Sequence, residues 1–220
     1  MKKILIISPH ADDETLGCGG IISKLKSQKC KVYWLLITKV KLKNNSEFLR
    51  RNKIIIKVKK KYKFDDLFQL QYLSSKLNYQ NLSNLTSDIN KIINLKKIDT
   101  IFAPYSFDAH SDHFFVSKAS IASSKIFRAK TIEKIFIYEV LSETNYNFDS
   151  KAKLFKPNIY FDISKFLKKK ISIMKLYKSE IGKHPFPRSI ESIKALALLR
   201  GSESNFKYAE AFQQIFSKIK

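Results

Sequence analysis

The chain has 220 residues, 44% of them hydrophobic and 28% charged, a globular composition with room for one sizeable core and short of two full domains. No apolar run approaches the ~20 residues that a membrane helix needs, and Met1–Ile7 is too short for a secretory signal and lacks a small-residue cleavage site, so a cytoplasmic protein is expected. The net charge of +23 is nearly all lysine, with only Arg50, Arg51, Arg128, Arg188 and Arg200 as arginines, so nucleic acid is a disfavoured partner and a solvated lysine-rich surface the simpler reading.

In chain order, 2–7, 31–38, 99–104, 134–140 and 158–163 read as buried strands, rich in branched and aromatic residues. Helical spacing marks 15–28, 46–62, 83–96, 112–127, 165–180 and 189–200. This alternation predicts βαβ units and a mostly parallel sheet, which binds ligands at the carboxyl ends of its strands. Residues 39–47 read as an exposed loop and 182–189 as a proline-punctuated one. Neither separates domains, so one domain over 1–220 is expected. Cys18 and Cys30 are expected to stay reduced.

Two loops gather the chemistry. His10, Asp12, Asp13 and Glu14 follow the first strand, and Asp108, His110, Asp112 and His113 follow the strand at 99–104. Taken singly, each cluster is more simply a solvated loop, and Glu14 simply favours a helix N-terminus. Taken together, with matching placement at strand ends that a parallel sheet can bring to one edge, they fit a zinc site with three protein ligands and a place left for water. A cation also offsets the repulsion of adjacent carboxylates. The following Gly17-Cys18-Gly19-Gly20 is not a dinucleotide fingerprint, and three acids precede it where pyrophosphate would be repelled. These glycines are expected to let a helix pack close to the sheet.

The stretch Pro9–Glu14, PHADDE, resembles the PHxDDE signature of the PIG-L/LmbE-like zinc-dependent de-N-acetylases. His110–His113, HSDH, resembles their HxDH motif, and RGSESNFKYAEAF (200–212) resembles their C-terminal ending. The resemblance implies a Rossmann-like three-layer α/β fold with a mostly parallel sheet. It implies a Zn2+ ion and removal of an N-acetyl group from an amino sugar or its nucleotide- or lipid-linked conjugate, in surface-glycan or glycoconjugate synthesis. His10, Asp13 and His113 match the metal ligands. Asp12 matches the general base, and His110 a protonated group that stabilises developing charge. Asp112 would orient an imidazole from behind, and Asp108 would lend a further supporting carboxylate. Ile54 stands where the family's RxxE helix carries Glu, which leaves Arg51 as a substrate-contact candidate, and Asn205 replaces a glycine. Asp108 occupies the place of a tyrosine found in some members.

His184 and Arg188 are candidates for the substrate entrance. Arg200 and Glu210 form a structural pair or reach substrate. Tyr177 and Ser179 read as helix-face residues, and Cys18 as a small packed one. The alternatives are another metal-dependent amide or ester hydrolase, and a basic module for nucleic acid or anionic membrane in which the acids are only structural.

Overall fold

A computed structural model of the chain describes residues 1–40, 45–148 and 153–219. Residues 41–44 of the loop expected at 39–47 therefore lie outside the described residues, and from Asn45 on the chain is helix rather than loop. Seven strands form one sheet in the order β3-β2-β1-β4-β5-β7-β6. They are β1 (Lys3–Ser8), β2 (Lys31–Lys39), β3 (Asp66–Leu73), β4 (Thr100–Pro104), β5 (Lys134–Tyr138), β6 (Ile159–Asp162) and β7 (Ala209–Ser217). Strands β1 to β5 run parallel, whereas β7 pairs antiparallel with both β5 and β6. The helices are α1 (Asp13–Ser27), α2 (Asn45–Tyr62), α3 (Leu82–Lys96), α4 (Ser111–Ser123), α5 (Leu167–Met174) and α6 (Ile190–Ser202).

The pleat of β1 explains the three layers. Ile4 and Ile6 enter one core with Leu16 and Ile22 of α1 and Val58 of α2, while Leu5 and Ile7 enter the other with Ile89 of α3 and Val116 of α4. Period-two alternation sends successive side chains to opposite faces, so a run apolar at every position is stable only between two helical layers. Full burial of each such side chain is worth about 1.5–3 kcal/mol.

Two strands go beyond the five expected. In β3 the exposure alternates, as in a half-solvated edge strand. β7 reads Ala-Glu-Ala-Phe-Gln-Gln, a composition that favours helix, and pairing on both sides overrides that preference. Two helices are shorter than their periodicity suggests. α4 ends at Ser123, where the hydroxyls of Ser123 and Ser124 both bond back to the Ser120 carbonyl. α5 ends at Met174, so Tyr177 is not on a helix face but buried, donating its hydroxyl to Glu14 Oε1 at 2.8 Å.

The close approach expected of the glycines concerns Gly17 and the sheet, since a Cβ there would lie 2.3 Å from the ring of Tyr138 on β5. Gly19 and Gly20 instead admit Tyr62, Lys170 and Ile163. Asn205 adopts φ 58°, the left-handed region that asparagine tolerates. Cys18 is buried, and both cysteines are free. Among the described residues no helix is long and apolar enough to cross a membrane.

Candidate metal centre and active site

The strand order reverses between β1 and β4, whose outgoing chains lead to helices on opposite faces. A crevice opens at the carboxyl ends of such a strand pair. Both acidic loops lie there: Pro9–Asp12 links β1 to α1, and Tyr105–His110 links β4 to α4. The first loop is anchored by its neighbours. Thr38 at the end of β2 donates its backbone N–H and hydroxyl to the Pro9 carbonyl, and Tyr138 of β5 donates to the Ile7 carbonyl at 2.7 Å.

His10, Asp13 and His113 converge, each offering a ligand atom within 4.8 Å of the others. Asp13 Oδ2 lies 3.3 Å from His10 Nδ1 and 3.4 Å from His113 Nε2, and also accepts the His10 backbone N–H at 2.8 Å. The outer nitrogens are held by carboxylates. His10 Nε2 donates to Asp112 Oδ2 at 3.0 Å, and His113 Nδ1 to Asp108 Oδ2 at 2.7 Å. In the neutral rings those bonds place the proton on the outer nitrogen, which leaves the inner nitrogen of each, beside Asp13, as the one able to bind a cation.

The donor set fits a divalent cation. His113 Nε2 is buried without a hydrogen-bond partner, its approach to Asp13 being too poorly directed for one. Burial would lower the His10 pKa, but Asp112 and Asp13 outweigh it and raise it to about 9. Burial likewise works against a charged His113, and Asp13 and Asp108 still push it well above the ordinary histidine value. Asp13 is held far below the usual carboxylate range, against burial, by His113 and His10. The cluster thus favours positive charge at its centre, where a cation and protons compete for the same nitrogens. His10, His110 and Asp112 form a second grouping. There Asp112 Oδ2 is already engaged by His10 and by the Ser75 backbone N–H, and His110 Nδ1 accepts the Asp112 N–H as the N-cap of α4.

Asp12 stands beside the triad as the N-cap of α1, with φ 152°, a strained value for a residue with a side chain. Its backbone N–H donates to Glu14 Oε2 at 3.1 Å, so Glu14 braces the strained turn from within. The Asp12 carboxylate lies 3.6 Å from Arg188 Nη1, and Arg188 also reaches Glu180 at 3.5 Å. Burial, then the charges of Asp13 and Glu180, push the Asp12 pKa up, against the pull of Arg188 and His10.

His110 lies against His10, ring centroids 4.3 Å apart and tilted by 58°. Burial, then the His10 charge, lower its pKa. With Nδ1 accepting, its proton sits on Nε2. Arg51 lines a cavity that also includes Ala11, between His10 and Asp12. Arg188 touches the site, while His184 is exposed and contacts none of its residues among those described. Arg200 and Glu210 do not pair. Arg200 holds Glu139 and Glu203, and Glu210 holds Lys170 and the N–H groups of Gly20 and Ile21.

Sequence reasoning missed several supports: the Ser75 N–H on Asp112, the Thr144 hydroxyl on Asp108 at 2.6 Å, and the Tyr177 hydroxyl on Glu14. Ser75 acts through its backbone and leaves no trace in side-chain chemistry. Thr144 and Tyr177 are ordinary residues whose role arises only from tertiary placement.

Comparison with known proteins agrees with this geometry. The sequence profile described as PIG-L, GlcNAc-PI de-N-acetylase, matches residues 5–124. Diacetylchitobiose deacetylase of Thermococcus kodakarensis is 22% identical over 229 residues, covering 97% of this chain and 83% of that protein. The structure of N,N'-diacetylchitobiose deacetylase from Pyrococcus horikoshii superposes with TM-score 0.76 at 21% identity, over 97% of this chain and 84% of that one. GalB, the 4-carboxy-2-hydroxymuconate hydratase of Pseudomonas putida, superposes equally well, TM-score 0.76 at 13% identity over 100% and 98% of the two chains. The fold alone therefore does not decide the reaction. With more than half its length matched by the family profile, the chain belongs to the PIG-L, GlcNAc-PI de-N-acetylase, family.

Proposed function

We propose that the protein is a zinc-dependent hydrolase that removes the N-acetyl group from an amino sugar or its conjugate, in glycan or glycoconjugate synthesis. The observation that carries this reading is the convergence of His10, Asp13 and His113 beside the buried carboxylate of Asp12. Family membership supports the acetamide as the bond attacked.

His10 Nδ1, His113 Nε2 and Asp13 would hold the ion. When bound, zinc supplies Lewis acidity, able to lower the pKa of a water from 15.7 to about 7 and to polarise a carbonyl. Asp12 takes the proton of the attacking water as oxygen adds to the acetamide carbon. Its buried setting makes the carboxylate a better proton acceptor than one in water, and a positioned base contributes about 10²–10⁴-fold. Arg188 fixes the carboxylate and keeps its charge compensated. His110, whose Nδ1 accepts the Asp112 N–H, donates from Nε2 to the carbonyl oxygen as negative charge develops there. The C–N bond then breaks, acetate leaves, and Asp12 returns its proton to the amine.

The test is acetate release from N-acetylated sugars by the purified chain, with chelation and zinc restoration. Activity abolished by chelator and recovered with zinc supports the reading. Chelator-insensitive release rejects the metal's part in it.

A further inference from the structure

We infer that Tyr177 is a positioning residue for Asp12: its hydroxyl fixes Glu14, and Glu14 fixes the Asp12 peptide, so that the Asp12 carboxylate is left for the reacting water rather than bonded to its own helix. The inference rests on the deacetylase reading for what Asp12 does, and on the hydrogen bonds alone for how Asp12 is held. An aspartate at a helix N-cap ordinarily engages its carboxylate with the N–H groups of the first turn. Asp12 makes no such bond, and only its carbonyl meets the helix, accepting the N–H groups of Thr15 at 2.9 Å and Leu16 at 2.8 Å. Its φ of 152° is strained for a residue with a side chain, and a strained backbone persists only where its surroundings over-determine it.

Glu14 supplies that constraint. Its carboxylate is buried and receives the Asp12 N–H at 3.1 Å on Oε2, and the hydroxyls of Thr15 at 2.5 Å and Tyr177 at 2.8 Å on Oε1. Asp12 and Thr15 are neighbours in sequence and move with the same turn. Of these three donors, Tyr177 is the one from elsewhere, 163 residues away. It sits buried in the turn that follows α5, where its N–H bonds to the Met174 carbonyl at 3.0 Å. A rigid anchor outside the loop is what holds a base in line, since a reacting group must be kept within about 0.5 Å of its productive place. The same segment reaches Asp12 by a second route. Glu180 lies 3.5 Å from Arg188, and Arg188 lies 3.6 Å from the Asp12 carboxylate. The Tyr177 ring also walls the cavity beside the site, with Ala11 and Leu176, so removing its hydroxyl alone keeps that wall.

The experiment places Tyr177→Phe in the zinc-loaded full chain, alone and on an Asp12→Asn background, and measures acetate release from N-acetylglucosamine and its methyl glycoside. Thr15 still bonds Glu14 Oε1, so the variant keeps a partner for that buried oxygen. The expected result is a kcat about 10–100-fold lower, with KM and zinc affinity unchanged, because only the alignment of the base is lost. On the Asp12→Asn background the same substitution should cost nothing further, since the group it positions is already disabled. An unchanged kcat, a loss confined to KM, or an equal loss on both backgrounds overturns the inference, the last being what a merely structural tyrosine would give. Should Tyr177→Phe not fold, Glu14→Gln takes its place, because it leaves one accepting oxygen for the three donors. The same split is then expected, and a wild-type kcat overturns the inference. If the wild-type chain releases no acetate, the deacetylase reading fails, and crystal structures of wild type and Tyr177→Phe decide the strut by themselves. An Asp12 that leaves its strained φ supports it, and an unmoved Asp12 peptide rejects it.

Discussion

Asp108 Oδ2 accepts the Nδ1–H of His113 at 2.7 Å, and the other oxygen of the same carboxylate accepts the Thr144 hydroxyl at 2.6 Å. A chain of bonds from the loop after β5 thus fixes the imidazole whose Nε2 has no partner of its own. Carboxylates behind metal-bound histidines set tautomer and basicity, and their loss typically costs 10–100-fold in affinity or activity. Asp108→Asn should weaken zinc binding by about that factor while the fold persists. Competition with a chromophoric chelator measures it.

Asp12→Asn should keep zinc and lose turnover by about 10²–10⁴-fold, because the amide cannot take the proton. Steady-state acetate release together with metal content of the same preparation checks both halves. Retained activity would remove Asp12 from the role of base.

Zinc binding should release protons at neutral pH. The metal-free His10 pKa is raised to about 9, and that of His113 is raised too, so the ion must displace protons from these nitrogens. Apparent affinity should therefore rise with pH up to about 9 and fall steadily below it. Calorimetry in buffers of different ionisation enthalpy counts the protons released.

Lys170 and Glu210 form a buried pair at 2.8 Å, with the Lys170 ammonium also on the Leu16 carbonyl and the Glu210 carboxylate on the N–H groups of Gly20 and Ile21. This pair ties β7 and α5 to the middle of α1. Lys170→Met should destabilise the protein by about 3–5 kcal/mol, because it strands a buried carboxylate. Denaturant unfolding gives the value.

The central strands β1, β2, β4 and β5 were legible because they are apolar at nearly every position, the edge strand β6 because of its Ile-Tyr-Phe run, and both metal loops followed from their place after two of the central strands. β3 escaped because an edge strand with one wet face carries weaker patterning. β7 escaped because its Ala, Glu and Gln content favours helix, and only its two neighbours make it a strand. In the site, the clusters holding His10, Asp12, Asp13 and His113 were legible by residue type, while their separate roles came from the family resemblance. The closeness of the His110 and His10 rings was not legible, since it arises only when the two loops meet. The partner of Arg200 was equally hidden, because Glu139 is 61 residues away and ordinary in sequence.

The most direct measurement is an equilibrium zinc titration of the wild-type chain against His113→Ala, with folding of both verified by circular dichroism. One equivalent bound tightly by the wild type and none at the same concentration by a folded His113→Ala is the predicted result. Equal stoichiometry and affinity in the two proteins would contradict a metal centre built on His10, Asp13 and His113.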